Sequence, residues 1–153
     1  MINPIVRMID CHIIYRDKNS IKYLLLKRSQ DKVYPNIWQC VTGKIEGDEK
    51  AYQTAIREVK EETRLDPVKM WTVEHVNLFF EADKNRMNLI PVFGMEVNNL
   101  NIILSNEHSN YMWCDFNLAS EKILWNQQKI GLLTLHNMLH GSKEKLSFSE
   151  ISL

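Results

Sequence analysis

Glu58, Glu61 and Glu62 stand in the run Arg57-Glu-Val-Lys-Glu-Glu, and on a helix spacings of three and four residues set such carboxylates side by side on one face. Like charges so placed destabilise an isolated helix by roughly 0.2–0.5 kcal/mol per pair, so a compensating positive charge is expected. Carboxylate oxygens are the preferred ligands of Mg²⁺, an ion that keeps several waters and shares itself with substrate phosphates. The chemistry served by such a cluster is metal-assisted phosphate chemistry. An ordinary solvated helix, with Arg57, Lys60 and Arg64 neutralising the glutamates, is the alternative. Gly43 and Glu49, in register with the run, favour the metal site.

Something must position these carboxylates. Trp38 to Thr42 is a short apolar run that reads as a strand ended by Gly43, and Gly47-Asp48 has the composition of a loop before a helix. Asp48 is the expected N-cap, and Glu49 then falls in the first turn, where negative charge suits the helix dipole. Ala51, Thr54, Ala55, Ile56 and Val59 supply an apolar stripe at helical spacing, with no proline before Pro67. The segment is therefore loop, helix, loop.

The remaining chain divides into strands and a second helix. Ile5 to Tyr15 and Lys22 to Leu26 form one expected hairpin about Asp17-Lys18-Asn19-Ser20. Val73 to Glu81 and Met87 to Val97, parted by Asp83 to Arg86, form another, in which Pro91 points to an edge or bulge. A short strand is expected near Tyr111 to Cys114. Gln127 to Leu139 reads as a helix with Ile130, Leu133, Leu135 and Met138 as core positions. From about residue 142 the chain is polar and reads as a loosely attached tail. Strands with one helix after the early ones and another at the end imply a layered α/β fold.

Length and composition fit one enzyme domain spanning residues 1–153. Acidic and basic residues balance at 19 each, which argues against a nucleic-acid partner held by bulk charge. The amino terminus lacks the features of a signal peptide, and no stretch reads as a membrane span. Cys11, Cys40 and Cys114 are odd in number and widely spaced, as reduced, buried thiols of a cytoplasmic protein would be.

The spacing Gly43-x5-Glu49-x7-Arg57-Glu58-Val59-x-Glu61-Glu62-x2-Leu65 resembles the Nudix box over residues 43–65, with Arg64 where the box has a glycine. The chain is thereby similar to the Nudix hydrolases. More narrowly, the run from Trp38 to Thr63 and the segment from Glu107 resemble the bacterial dihydroneopterin triphosphate pyrophosphatases, also called dATP pyrophosphohydrolases. The resemblance implies an αβα sandwich with a mixed sheet between helices. It also implies a Mg²⁺ cofactor, with Mn²⁺ in substitution, and a small-molecule di- or triphosphate substrate split into monophosphate and pyrophosphate. A monomer or a homodimer is compatible with it.

Carried over by position, the resemblance makes Glu58 and Glu62 the principal metal ligands, with Glu61 acting directly or through water and the Gly43 carbonyl nearby. Glu107 matches a downstream glutamate that binds metal or activates water; read alone it is a loop acid or N-cap. The general base is Glu58 or Glu107. Arg57 and Glu49 are expected to pair and brace the loop. Lys27 and Arg28 are candidates for substrate phosphates, Trp38 and Trp113 for stacking the substrate's ring, and Gln39 for a further substrate contact. Arg64 is expected to cost about 1 kcal/mol at the helix end without removing a ligand. His136 and His140 sit four apart, but no third ligand motif makes them a zinc site. Other readings are a Nudix hydrolase of a dinucleoside polyphosphate, nucleotide sugar or oxidised nucleotide, and a non-catalytic nucleotide-binding Nudix module. An RNA 5′-end hydrolase is a further alternative, against which the zero net charge counts.

Overall fold

Two long hairpins built from β-branched and aromatic runs frame the fold in a computed structural model that describes residues 1–153. The first pairs β2 (Met8–Asp17) with β3 (Ser20–Arg28), and the second pairs β6 (Lys69–Glu81) with β7 (Arg86–Val97). The short strands β1 (Pro4–Ile5), β4 (Trp38–Gln39) and β5 (Val41–Lys44) and the later β8 (His108–Cys114) complete an eight-stranded sheet. The sheet is mixed: β1 and β2 run parallel to β7, while the β2–β3, β2–β5, β3–β4, β3–β8 and β6–β7 pairs are antiparallel.

Helix α1 (Ala51–Thr63) covers one face, where Ala55 and Val59 meet Ile9, Cys11, Ile13 and Met95. On the other face α2 (Phe116–Lys122) and α3 (Asn126–His140) bury Ala119, Leu132 and Leu135 against Ile14, Trp71 and Val92. The expected αβα sandwich is thus present. Because β2 is covered on both sides, its even-numbered side chains are buried too, and these include Asp10 and His12. Pro91 lies between the residues of β7 that pair with β1 and those that pair with β2, so its missing N–H breaks neither ladder.

Four expectations need correction. Helix α1 starts at Ala51, with Lys50 as its N-cap residue, so neither Asp48 nor Glu49 belongs to its first turn. Glu49 is recruited elsewhere, and Gln53 Oε1 accepts the Lys50 N–H at 2.9 Å instead. On α3 the buried stripe is Gln128, Gly131, Leu132, Leu135 and Leu139, whereas Ile130 and Leu133 are 37% and 45% exposed. The helix seats its glycine on the sheet: a Cβ on Gly131 would stand 3.2 Å from His12 Nε2 and 3.4 Å from Val92 Cγ1. The short α2, capped by Asp115 accepting the Leu118 N–H at 2.9 Å, has too little periodicity to be read from sequence.

Nor is the tail loose. Residues Lys143–Phe148 form α4, after which Thr72 N–H donates to Ser149 O at 2.9 Å and Ile151 N–H to Met70 O at 2.8 Å. These residues lie along the outer edge of β6 and close part of it. No helix is long and apolar enough to cross a membrane.

Arg64 closes α1 in the left-handed conformation, at φ 67° and ψ 13°, with its N–H on Lys60 O at 2.9 Å. Replacing Arg64 with Gly removes a Cβ penalty of about 1 kcal/mol and is expected to raise Tm by about 2–4 °C. A thermal melt at which the variant unfolds no later than the wild type would show that the arginine side chain offsets its own strain.

Candidate active site

The antiparallel register of β2, β3 and β5 brings Met8, Arg28 and Lys44 to one end of the sheet, and the acidic cluster assembles there. Ile9 pairs with Gly43, so the chain leaves the sheet at Lys44, loops over residues 45–50 and returns as α1. Glu58 is carried directly over Gly43: a Cβ at that position would stand 2.2 Å from Glu58 Cγ and Cδ. Only a residue without a side chain lets the carboxylate lie against this backbone.

Arg57 ties the loop together. Its Nε donates to Glu49 Oε2 at 3.0 Å, Nη2 donates to Glu49 Oε1 at 3.1 Å and to Lys44 O at 2.9 Å, and Nη1 donates to Glu58 Oε1 at 2.9 Å. Glu49 Oε1 also accepts the Glu46 N–H at 2.9 Å. The guanidinium holds Glu49 below the ordinary carboxylate range. Glu61 is mostly exposed and reaches Arg57 Nη1 at 3.4 Å.

Glu58 and Glu62 occupy different electrostatic settings. Burial pushes the Glu58 carboxyl up to about 7, against the opposing pull of Arg57 and with added repulsion from Glu61 and Glu62. Glu62, only 4% exposed, faces the sheet. Burial would raise it too, but hydrogen bonds from His108 and Ser105 outweigh burial and hold it below its ordinary value. Ser105 Oγ donates to Glu62 Oε2 at 2.9 Å, and His108 Nδ1 lies 2.8 Å from the same oxygen. Glu107, between Ser105 and His108 in the chain, is raised by partial burial and by the Glu62 charge beside it.

The candidate substrate contacts divide. Lys27 and Trp38 are cross-strand partners, with Lys27 Nζ 6.0 Å from the indole centroid. Arg28 Nε donates to Val33 O at 2.9 Å and so braces the loop of residues 29–37, while its charge favours ionised Glu107. Gln39 is buried, and its amide meets His108 Nε2 at 3.1 Å. Loop 29–37 is stitched to the Glu107 loop by Ser29 N–H on Glu107 O at 2.9 Å and Ser29 Oγ on Asn106 O at 2.8 Å. At its rim Tyr34 meets Trp125 edge to face at 5.1 Å, both rings partly open to solvent.

Ser105, His108 and Tyr34 were not legible as site residues. His108 follows Glu107 directly, and a histidine after a loop acid gives no signal until β8 turns it inward. His136 and His140 form no metal pair: His136 Nδ1 meets the Tyr23 hydroxyl at 2.7 Å, and His140 Nδ1 donates to His136 O at 2.8 Å. No three His, Cys, Asp or Glu side chains in the protein close into a metal cage. Glu58, Glu62 and Glu107 instead offer hard oxygen donors in excess of local positive charge, which suits an ion that completes its shell with water and phosphate. The three cysteines are buried and unpaired, and burial pushes each thiol up, which makes them poor nucleophiles.

Comparison with known proteins agrees with this geometry. The NUDIX domain family model matches residues 7–134. The asymmetrical bis(5′-nucleosyl)-tetraphosphatase of Caenorhabditis elegans is 34% identical over 107 residues, which cover 67% of this chain and 75% of that protein. The dihydroneopterin triphosphate diphosphatase of Haemophilus influenzae is 46% identical over 54 residues, 35% of this chain and 32% of that one. The crystal structure of a C. elegans Ap4A hydrolase binary complex superposes with a TM-score of 0.73 at 25% identity, covering 88% of this chain and 98% of that chain.

Proposed function

The chain belongs to the NUDIX domain family, a family of hydrolases acting on phosphoric anhydride bonds, and on that premise we propose that it is a Mg²⁺-dependent pyrophosphohydrolase of a nucleoside or pterin triphosphate. One observation carries the reading: Glu58 lies against the Gly43 backbone, Glu62 follows one turn later on α1, and Glu107 stands beside Glu62 from the loop before β8, so carboxylates gather with too little positive charge to balance them. Glu58, Glu62 and Glu107, with the Gly43 carbonyl, would hold Mg²⁺, and Glu61 would act through water from its exposed position. When bound, the ion neutralises phosphoryl oxygens and lowers the pKa of water.

The protein's own groups have separate tasks. Glu58 or Glu107, both raised by burial, would accept the proton of the attacking water. As the water oxygen bonds to phosphorus, the anhydride P–O bond breaks and pyrophosphate leaves with the bonding pair. Lys27 would meet the phosphate chain, and Arg28 would hold loop 29–37 over it. Trp38, Tyr34 and Trp125 offer aromatic faces for a flat ring. Glu49 and Arg57 are architectural.

A second reading, hydrolysis of a dinucleoside tetraphosphate, is favoured by the longer match to the C. elegans tetraphosphatase. Incubation with Mg²⁺ and dihydroneopterin triphosphate, dATP or diadenosine tetraphosphate, with products identified by mass, separates the two. Pyrophosphate from a triphosphate supports the first reading, and AMP with ATP from the dinucleotide supports the second. Turnover of neither, in protein that binds Mn²⁺, would sink both substrate assignments.

A further inference from the structure

Two donors saturate one oxygen of Glu62. Ser105 Oγ–H and His108 Nδ1 both meet Oε2, so Oε1 alone is left for a cation. His108 is itself buried, and its far nitrogen is engaged: the Gln39 amide lies 3.1 Å from Nε2. An amide N–H donating to Nε2 fixes the imidazole proton on Nδ1, where it donates to Glu62. The chain of contacts crosses three elements, from β4 through β8 to α1, and each member is closed to bulk water.

The geometry points to His108 as a positioning residue, which with Gln39 behind it fixes the oxygen that Glu62 presents to the metal. This rests on the reading that Glu62 holds Mg²⁺. A carboxylate free to rotate pays orientational entropy when it binds an ion, and partners behind a ligand are typically worth 10–100-fold in metal affinity. Gln39 therefore acts through His108 and not on the substrate. The arrangement meets the Glu62 charge from behind, at Oε2.

The experiment measures Mn²⁺ affinity by electron paramagnetic resonance, with the Mg²⁺ dependence of kcat and KM, in His108→Leu, His108→Asn and Glu62→Gln proteins. His108→Leu is expected to bind Mn²⁺ about 10–100-fold more weakly. In turnover it should need more Mg²⁺, with kcat largely recovered at saturating metal. His108→Asn places an amide N–H where Nδ1–H stood and should restore most of the affinity. Wild-type affinity in His108→Leu, or equal loss in Leu and Asn, would overturn the positioning role. Glu62→Gln tests the premise separately: if it binds Mn²⁺ as the wild type does, the metal reading fails whatever His108 does. Should His108→Leu not fold, the ¹⁵N shifts of His108 in the wild type decide. A proton on Nδ1 is expected, and a neutral ring with its proton on Nε2 overturns the relay.

Discussion

Glu62→Gln is expected to lower turnover by about 10²–10³-fold while leaving the protein folded, because in the proposed function Glu62 is a cation ligand, and a bound cation stabilises transition-state charge by several kcal/mol. The substitution is nearly isosteric, and the amide oxygen can still accept from Ser105 or His108, so the α1 to β8 contact survives in part. The loss should therefore appear in kcat and in Mn²⁺ affinity, with little change in Tm. The neighbouring Glu61→Gln, exposed and paired only to Arg57 at 3.4 Å, should cost far less. Steady-state kinetics on the two variants checks this. Equal losses, or a collapse of Tm in Glu62→Gln, would move Glu62 from the chemistry to the architecture.

The second large effect lies beneath α3. Asp10 and His12 face the same buried layer and shift in opposite directions. Burial raises the Asp10 carboxyl from 3.8 to about 7, opposed by a hydrogen bond from Asn77 Nδ2, and burial with the nearby His75 lowers His12 from 6.5 to about 4. For Asp10 the folded state holds a proton that the unfolded chain has lost. Its contribution to stability is full below about pH 4 and disappears as pH rises to about 7. For His12 the unfolded chain takes the proton first, so its contribution is full above about 6.5 and is lost as pH falls to about 4. Across this window the two slopes oppose each other at about 1.4 kcal/mol per pH unit each.

Each single variant should unmask the other group. Relative to wild type, Asp10→Asn is expected to gain stability progressively from pH 4 to 7 and to level off above, by about 4 kcal/mol in all. The amide oxygen of the new side chain can still accept from Asn77. His12→Gln should show the opposite trend, with its advantage over wild type greatest near pH 4 and fading by pH 6.5. Urea unfolding at half-unit pH steps measures both curves, and stability differences that do not vary with pH would refute the assignment.

Much of the architecture was readable because its signals are local. Alternating β-branched runs with Asp-Lys-Asn-Ser and Asp-Lys-Asn-Arg turns set both hairpins, and fixed box spacing set α1 and its carboxylates. What escaped depends on contacts distant in sequence. The buried side of α3 is chosen by where Gly131 can approach His12 and Val92, and a helical wheel sees only the apolar positions Ile130 and Leu133. Residues after 142 are polar and give no periodic signal, yet backbone hydrogen bonds to β6 hold them. Ser105 joins the site, and Gln39 takes its place behind His108, only because β4 and the loop before β8 converge on α1.

That last strap sets an order of events during synthesis. Strand β6 leaves the ribosome long before residues 149–151, so its outer edge at Met70 to Thr72 stays unsealed while β8, α2, α3 and α4 are still being made. Until the strap docks, a nascent chain displays an open edge beside the apolar Trp71, the kind of surface at which neighbouring chains on one message pair wrongly. Slow translation of the last helices would prolong that exposure, and a chaperone that shields extended segments would matter most in this interval.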